Sequence, residues 1–186
     1  MPLTLLSNIA GYLGTAAAIL GFQVKKREGL LACQIASNLL VSLSFLFLFQ
    51  LAGGSICFIA TGHTIVNYCL AKRNKVPTWQ LNALFLLLYL AASVYSWVTA
   101  EQFLFPVDVF PFICAVLFLL AITFTNGKVI RLLFLANAVL WILYDLFGAT
   151  FAAANLVTHI LVLLSNVIAI IRYDVIAGKK DKNTES

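Results

Sequence analysis

The residues able to do chemistry in this chain are two histidines and a set of asparagines, spaced as helical neighbours. His63 and Asn67 are four apart, as are Asn155 and His159, and Asn166 follows His159 by seven. These spacings put each set on one face of a helix. All lie in strongly apolar surroundings, where an unpaired polar group costs several kcal/mol, so each needs a partner or a cavity. Two readings stay open for the histidines. One is a polar site for a small solute, built from two equivalent helices near the membrane midplane. The other is hydrogen bonding of each imidazole to a neighbouring helix. Asn155, one turn from His159, is the candidate substrate-contacting amide. Asn67 and Asn166 read as interhelical glue, paired with Asn38 and Asn137 at ~1 kcal/mol per bond. Asp145, beside Tyr144, reads as snorkelling to the outer interface more than as a proton-coupling group. Glu101 and Asp108 read as loop-end charges.

The elements that must position these groups follow from composition. Of 186 residues, 62% are hydrophobic and 10% charged. Soluble domains carry about a quarter charged residues, and disordered chains are poorer in apolar ones. A bilayer takes roughly 20 apolar residues per helical crossing. Seven stretches qualify: Leu3–Val24, Leu30–Leu51, Gly53–Ala71, Trp79–Ala100, Val107–Phe124, Val129–Phe147 and Gly148–Ile171. Spans two and three abut at Gly53-Gly54, and spans six and seven at Gly148, so a sharp glycine turn is expected at each place. The N-terminus lacks a basic leader region and reads as a retained first span. Trp79, Tyr95 and Trp97 fit an aromatic belt at the ends of span four.

Charge sets the orientation. With the N-terminus outside, seven spans place all twelve Lys and Arg in cytoplasmic segments. That is the positive-inside pattern, and an even number of spans breaks it. The net charge of +5 is therefore a topology signal and not the footprint of a nucleic-acid groove. The last residues, 175–186, read as a disordered cytoplasmic tail.

The layout repeats. Spans one to three and five to seven each run helix, basic loop, helix, glycine, and a helix ending in Arg. Span four between them makes the repeat parallel. Asn38 and Asn137, Asn67 and Asn166, and Arg73 and Arg172 are each 99 apart, whereas His63 and His159 are 96 apart. The expected units are residues 1–76 and 102–174, each a three-helix bundle, with 77–101 as a linker helix.

Two stretches carry a family resemblance. Gly21-Phe22-Gln23-Val24-Lys25-Lys26-Arg27-Glu28-Gly29-Leu30, with Gln34-Ile35-Ala36-Ser37-Asn38-Leu39-Leu40 after it, resembles the first loop and second helix of the bacterial YgjV-like inner-membrane proteins. Ser165-Asn166-Val167-Ile168-Ala169-Ile170-Ile171-Arg172-Tyr173 resembles the end of the same family. That family is similar in layout to the SWEET and PQ-loop transporters. The resemblance implies an all-α integral membrane protein, with seven transmembrane helices in a 3+1+3 parallel-repeat (SWEET-like) arrangement. It also implies a substrate pathway between the bundles. Where PQ-loop proteins carry Pro-Gln, this chain has Phe22-Gln23. Trp141 matches the tryptophan of the second helix in a SWEET bundle; span two offers Ser42 and Phe45 instead.

The four cysteines, Cys33, Cys57, Cys69 and Cys114, lack metal or redox spacing and read as small buried hydrophobes. Nucleophile elbow, nucleotide loop and metalloprotease motifs are missing, so no enzyme and no cofactor is expected. The expected function is gradient-driven transport of a small polar solute, a sugar or small metabolite, by alternating access in a bacterial inner membrane. The alternative is a non-transporting scaffold with the same fold. The candidate substrate-binding residues are His63, His159, Asn155, Asn67, Asn166 and Trp141. The partners are the lipid bilayer and the solute, with a homo-oligomer left open.

Overall fold

The computed structural model of the chain describes residues 2–24, 26–99, 103–147 and 153–176. Seven α-helices occupy the described residues: α1 (Pro2–Gln23), α2 (Arg27–Phe47), α3 (Leu51–Lys72), α4 (Trp79–Thr99), α5 (Phe110–Thr123), α6 (Gly127–Phe147) and α7 (Ala153–Ile170). Six are long and apolar enough to cross a membrane. The shorter one, α5, is preceded by a 3-10 turn at Val107–Val109, so the apolar helical stretch Val107–Thr123 lies at the lower limit for a crossing. Pro111 falls in the first turn of α5, where its missing N–H costs nothing. A π-helical turn, Ile171–Ile176, follows α7.

Short connections make sequential helices neighbours, and packing is most extensive along α1–α2–α3 and α5–α6–α7. Two further contacts, α3 with α5 and α1 with α7, close these six helices into a ring. The remaining helix, α4, packs outside the ring against α3 and α5.

The basic residues gather at one end. Lys26, Arg27, Asn74, Lys75 and Thr125 line one cleft, which joins the α1–α2, α3–α4 and α5–α6 connections. The Arg131 and Arg172 guanidinium groups both lie against the Tyr173 ring. The positive cluster read from sequence is therefore a real face among the described residues; Lys25 and the last three lysines lie outside them.

The glycine turn expected between spans two and three is not where the chain reverses. The turn is Leu48–Gln50, with Phe49 in the left-handed region at φ 58°. Gly53 and Gly54 lie inside the first turns of α3, the former against the Phe45 ring and the latter 2.9 Å, measured from an added Cβ, from Leu46. Their missing side chains let α3 approach α2 closely, as small residues do between membrane helices. The reversal at Gly148 and the tail 177–186 lie outside the described residues, as does Glu101.

Trp97 is half-buried and fastened to the turn before α5. Its indole N–H donates to the Asp108 carbonyl at 2.8 Å, and its ring meets Phe103 and Phe112 edge-on. Trp79 and Tyr95 are exposed, as a belt requires. Cys57 and Cys114 are buried, while Cys69 is exposed on the apolar surface.

Candidate functional site

A cavity of about 90 Å³, measured as space open to water centres, occupies the middle of the ring and takes residues from all six ring helices. That is room for several waters. Its polar lining is Gln34, Ser37 and Asn38 from α2, Asn137 from α6, and Thr158 and His159 from α7. Small residues, Ala18 of α1, Ala60 of α3, Ala115 of α5 and Ala138 of α6, leave the space that larger side chains would fill.

Aromatic contacts cross the ring in two places. Towards the basic end, Phe134 of α6 meets Phe22 of α1 at 5.3 Å and Phe118 of α5 at 5.9 Å, both edge-on. Towards the other end, Trp141 of α6 stacks on Phe45 of α2 at 6.1 Å and on the His159 imidazole at 5.4 Å. Edge-on and offset rings at such separations are favourable beyond their burial. At the basic end, Arg27 donates from Nη2 to the Ile122 carbonyl at 2.9 Å, tying α2 to the end of α5.

His159 is held on two sides. Its Nδ1 lies 2.5 Å from Oδ2 of Asp145, and its ring lies against Trp141 at an interplanar angle of 10°. The Asp145 side chain is 2% exposed and the His159 side chain 12%. Asp145 is thus a buried partner of the histidine and does not snorkel. Its helix explains this: Trp141 and Asp145 are four apart on α6, so one face presents both groups to α7.

His63 has another fate. It is fully buried, stacked on Phe85 of α4 at 4.1 Å and tilted against Tyr89 at 6.2 Å. Neither ring nitrogen makes a well-formed hydrogen bond; the Asn82 amide of α4 is the polar group that bears on it. The two histidines expected to form one site face different neighbours.

The asparagines do not pair with each other. Asn67 donates to the His63 carbonyl of its own helix at 3.0 Å. Asn166 donates to the Arg131 carbonyl of α6 at 2.8 Å, and Asn137 to the Cys114 carbonyl of α5 at 2.6 Å. In the second half, interhelical glue is therefore present with backbone carbonyls as acceptors. Asn155 is buried with its Nδ2 unpartnered, one turn from His159, and outside the cavity lining. Of the six sequence candidates, the cavity gathers Trp141 and His159. Reading the sequence missed Gln34, Ser37 and Thr158 as lining groups and took Asn38 and Asn137, which also line it, as glue. The available signal was position: Gln34 and Asn38 are four apart and so share one face of α2.

The seam between α1 and α7 is also polar. Thr15 and Thr158 hydroxyls lie 2.8 Å apart, the Gln23 amide donates to Ser165 Oγ at 3.2 Å, and the Tyr173 hydroxyl donates to the Gln23 carbonyl at 3.0 Å. The Phe22-Gln23 step thus lies in a helix end fastened to α7.

No curated protein and no solved structure matches the chain. The family model described as Imp-YgjV, bacterial inner membrane protein, matches residues 5–176, and with several apolar helices of spanning length the chain belongs to that family of multi-pass inner-membrane proteins.

Proposed function

We propose that the protein is a gradient-driven transporter of a small polar solute, a sugar or small metabolite, which binds in the central cavity and is released by alternating access. The observation that carries this reading is a cavity with polar lining, built from every ring helix and flanked along the ring axis by aromatic contacts. A dry contact between α3 and α7 would favour the scaffold alternative; here Ile56, Cys57 and Ala60 of α3 and Thr158, His159 and Val162 of α7 border the same space. Burying uncompensated amides in hydrocarbon is costly, so a polar hollow at this place implies water or solute within it. Seven crossings in a parallel 3+1+3 repeat, with the N-terminus outside and the basic face cytoplasmic, complete the reading. The ring agrees with such a repeat, since α3 against α5 and α7 against α1 are equivalent contacts under it.

Reconstituted protein is expected to move at least one solute from a panel of radiolabelled sugars and small metabolites. Gln34→Ala and Asn38→Ala are each expected to weaken apparent affinity about 5-fold, the loss of one hydrogen bond of about 1 kcal/mol. Absence of flux across the panel, or indifference to both substitutions, counts against the cavity as the pathway. A periplasmic reporter fused after Ser186 would overturn the orientation.

A further inference from the structure

Resting on the transport reading, we infer that Asp145 and His159 together form a proton-binding site in the cavity wall, so that a proton travels with the solute. A carboxylate on α6 and an imidazole on α7 are in direct hydrogen-bond contact, the former nearly inaccessible and the latter bordering the cavity. No described Lys or Arg lies at this end of the ring to neutralise the carboxylate. Among the described residues, Cys57 of α3 borders the same cavity as His159, and three further titratable groups lie near the pair. Tyr144 comes from α6 itself, Cys114 from α5, and Asp108 from the turn before α5, by way of Tyr144. Phe45 of α2 and Thr15 of α1 reach the same neighbourhood and do not titrate.

The charge states give the coupling. With the proton of the Nδ1–Oδ2 hydrogen bond carried on Nδ1, the pair is an imidazolium beside a carboxylate and is neutral overall. Loss of that proton to water leaves one buried negative charge and a neutral imidazole. A lone charge is tolerated at membrane depth only where water or a counter-ion reaches it. The proton therefore leaves when the cavity opens to water and must be regained before the cavity closes. The imidazole is the route between Asp145 and the cavity, because the carboxylate has almost no surface of its own. Its stacking on Trp141 makes the protonation state visible, since a protonated imidazole against an indole quenches its emission.

The test has two arms, both on the full chain. Trp79→Phe and Trp97→Phe leave Trp141 as the one tryptophan of three. In that background, acidification is expected to quench emission reversibly, with the response lost in His159→Gln and kept in His63→Gln. A flat response in the parent, or the same response in His159→Gln, overturns the proton site. In the second arm, proteoliposomes containing a pH-sensitive dye receive labelled monosaccharides and neutral amino acids, with and without an inward acid gradient. Uptake is expected to accelerate with the gradient and to acidify the lumen. In Asp145→Asn, the ratio of gradient-driven uptake to labelled exchange is expected to fall, whereas a merely structural lesion lowers both together. Gradient-independent uptake in the parent overturns the coupling and leaves transport standing. A pH-dependent Trp141 signal without movement of any solute supports the proton site and counts against the transport reading.

Discussion

His63 and His159 sit on α3 and α7, which are counterparts under the proposed repeat, yet they meet different surroundings. At the offset of 99 that aligns the asparagines, His159 matches Ala60 and His63 matches Val162. Ala60, His159 and Val162 all border the cavity; His63 alone is turned away, towards α4. Under the proposed repeat, α3 and α7 thus offer equivalent backbone positions to the cavity, yet only α7 brings an imidazole to it. The unpaired helix, α4, is the reason: it covers the outer face of α3 and offers Phe85 and Tyr89 as a pocket for His63, and α7 has no such cover among the described residues.

The largest expected effect separates these two residues. His159→Leu leaves Asp145 buried beside an apolar group and is expected to cost about 3–5 kcal/mol in thermal unfolding of the purified protein. His63→Leu fills a similar volume where no good hydrogen bond exists, with an expected change below about 1.5 kcal/mol. Equal losses from both would break the contrast.

A smaller effect divides the matched asparagines. Asn166→Leu removes a bond to α6 and is expected to cost about 1 kcal/mol. Asn67→Leu removes a bond to a carbonyl of its own helix and is expected to cost less. Melting temperatures of the two variants, measured side by side, decide this; a reversed order would mean that Asn67 supports an interhelical contact as strong as that of Asn166.

The smallest effect concerns Gly62, next to His63. A Cβ added there meets nothing within 4 Å. Gly62→Ala is expected to raise stability by about 0.5–1 kcal/mol, through relief of the glycine penalty inside a helix. Destabilisation on the same assay would show that this flank of α3 is covered in the membrane, by lipid packing or a second copy.

The helices were largely legible from the chain, because apolar runs of bilayer length, bounded by basic clusters, leave little alternative. Span two ends at Phe47 and not at Leu51, since Phe49 takes the left-handed turn while the glycines serve close packing. The candidate site was legible in part. His159 and Trp141 border the cavity. His63, Asn67, Asn155 and Asn166 are buried without bordering it. Asp145 was misread because proximity to a helix end suggested access to the interface, whereas the rotation of α6 turns the carboxylate towards α7.

Composition, span length and the placement of cations were enough to determine an all-helical membrane chain, because transfer of polar groups into hydrocarbon is so unfavourable that few patterns survive it. Which faces of those helices meet was decided only by the tertiary structure. Every span is apolar around most of its circumference, so no amphipathic stripe fixes its rotation. That rotation comes from the packing of small residues and rings, and it is what brings Asp145 to His159 and carries His63 away.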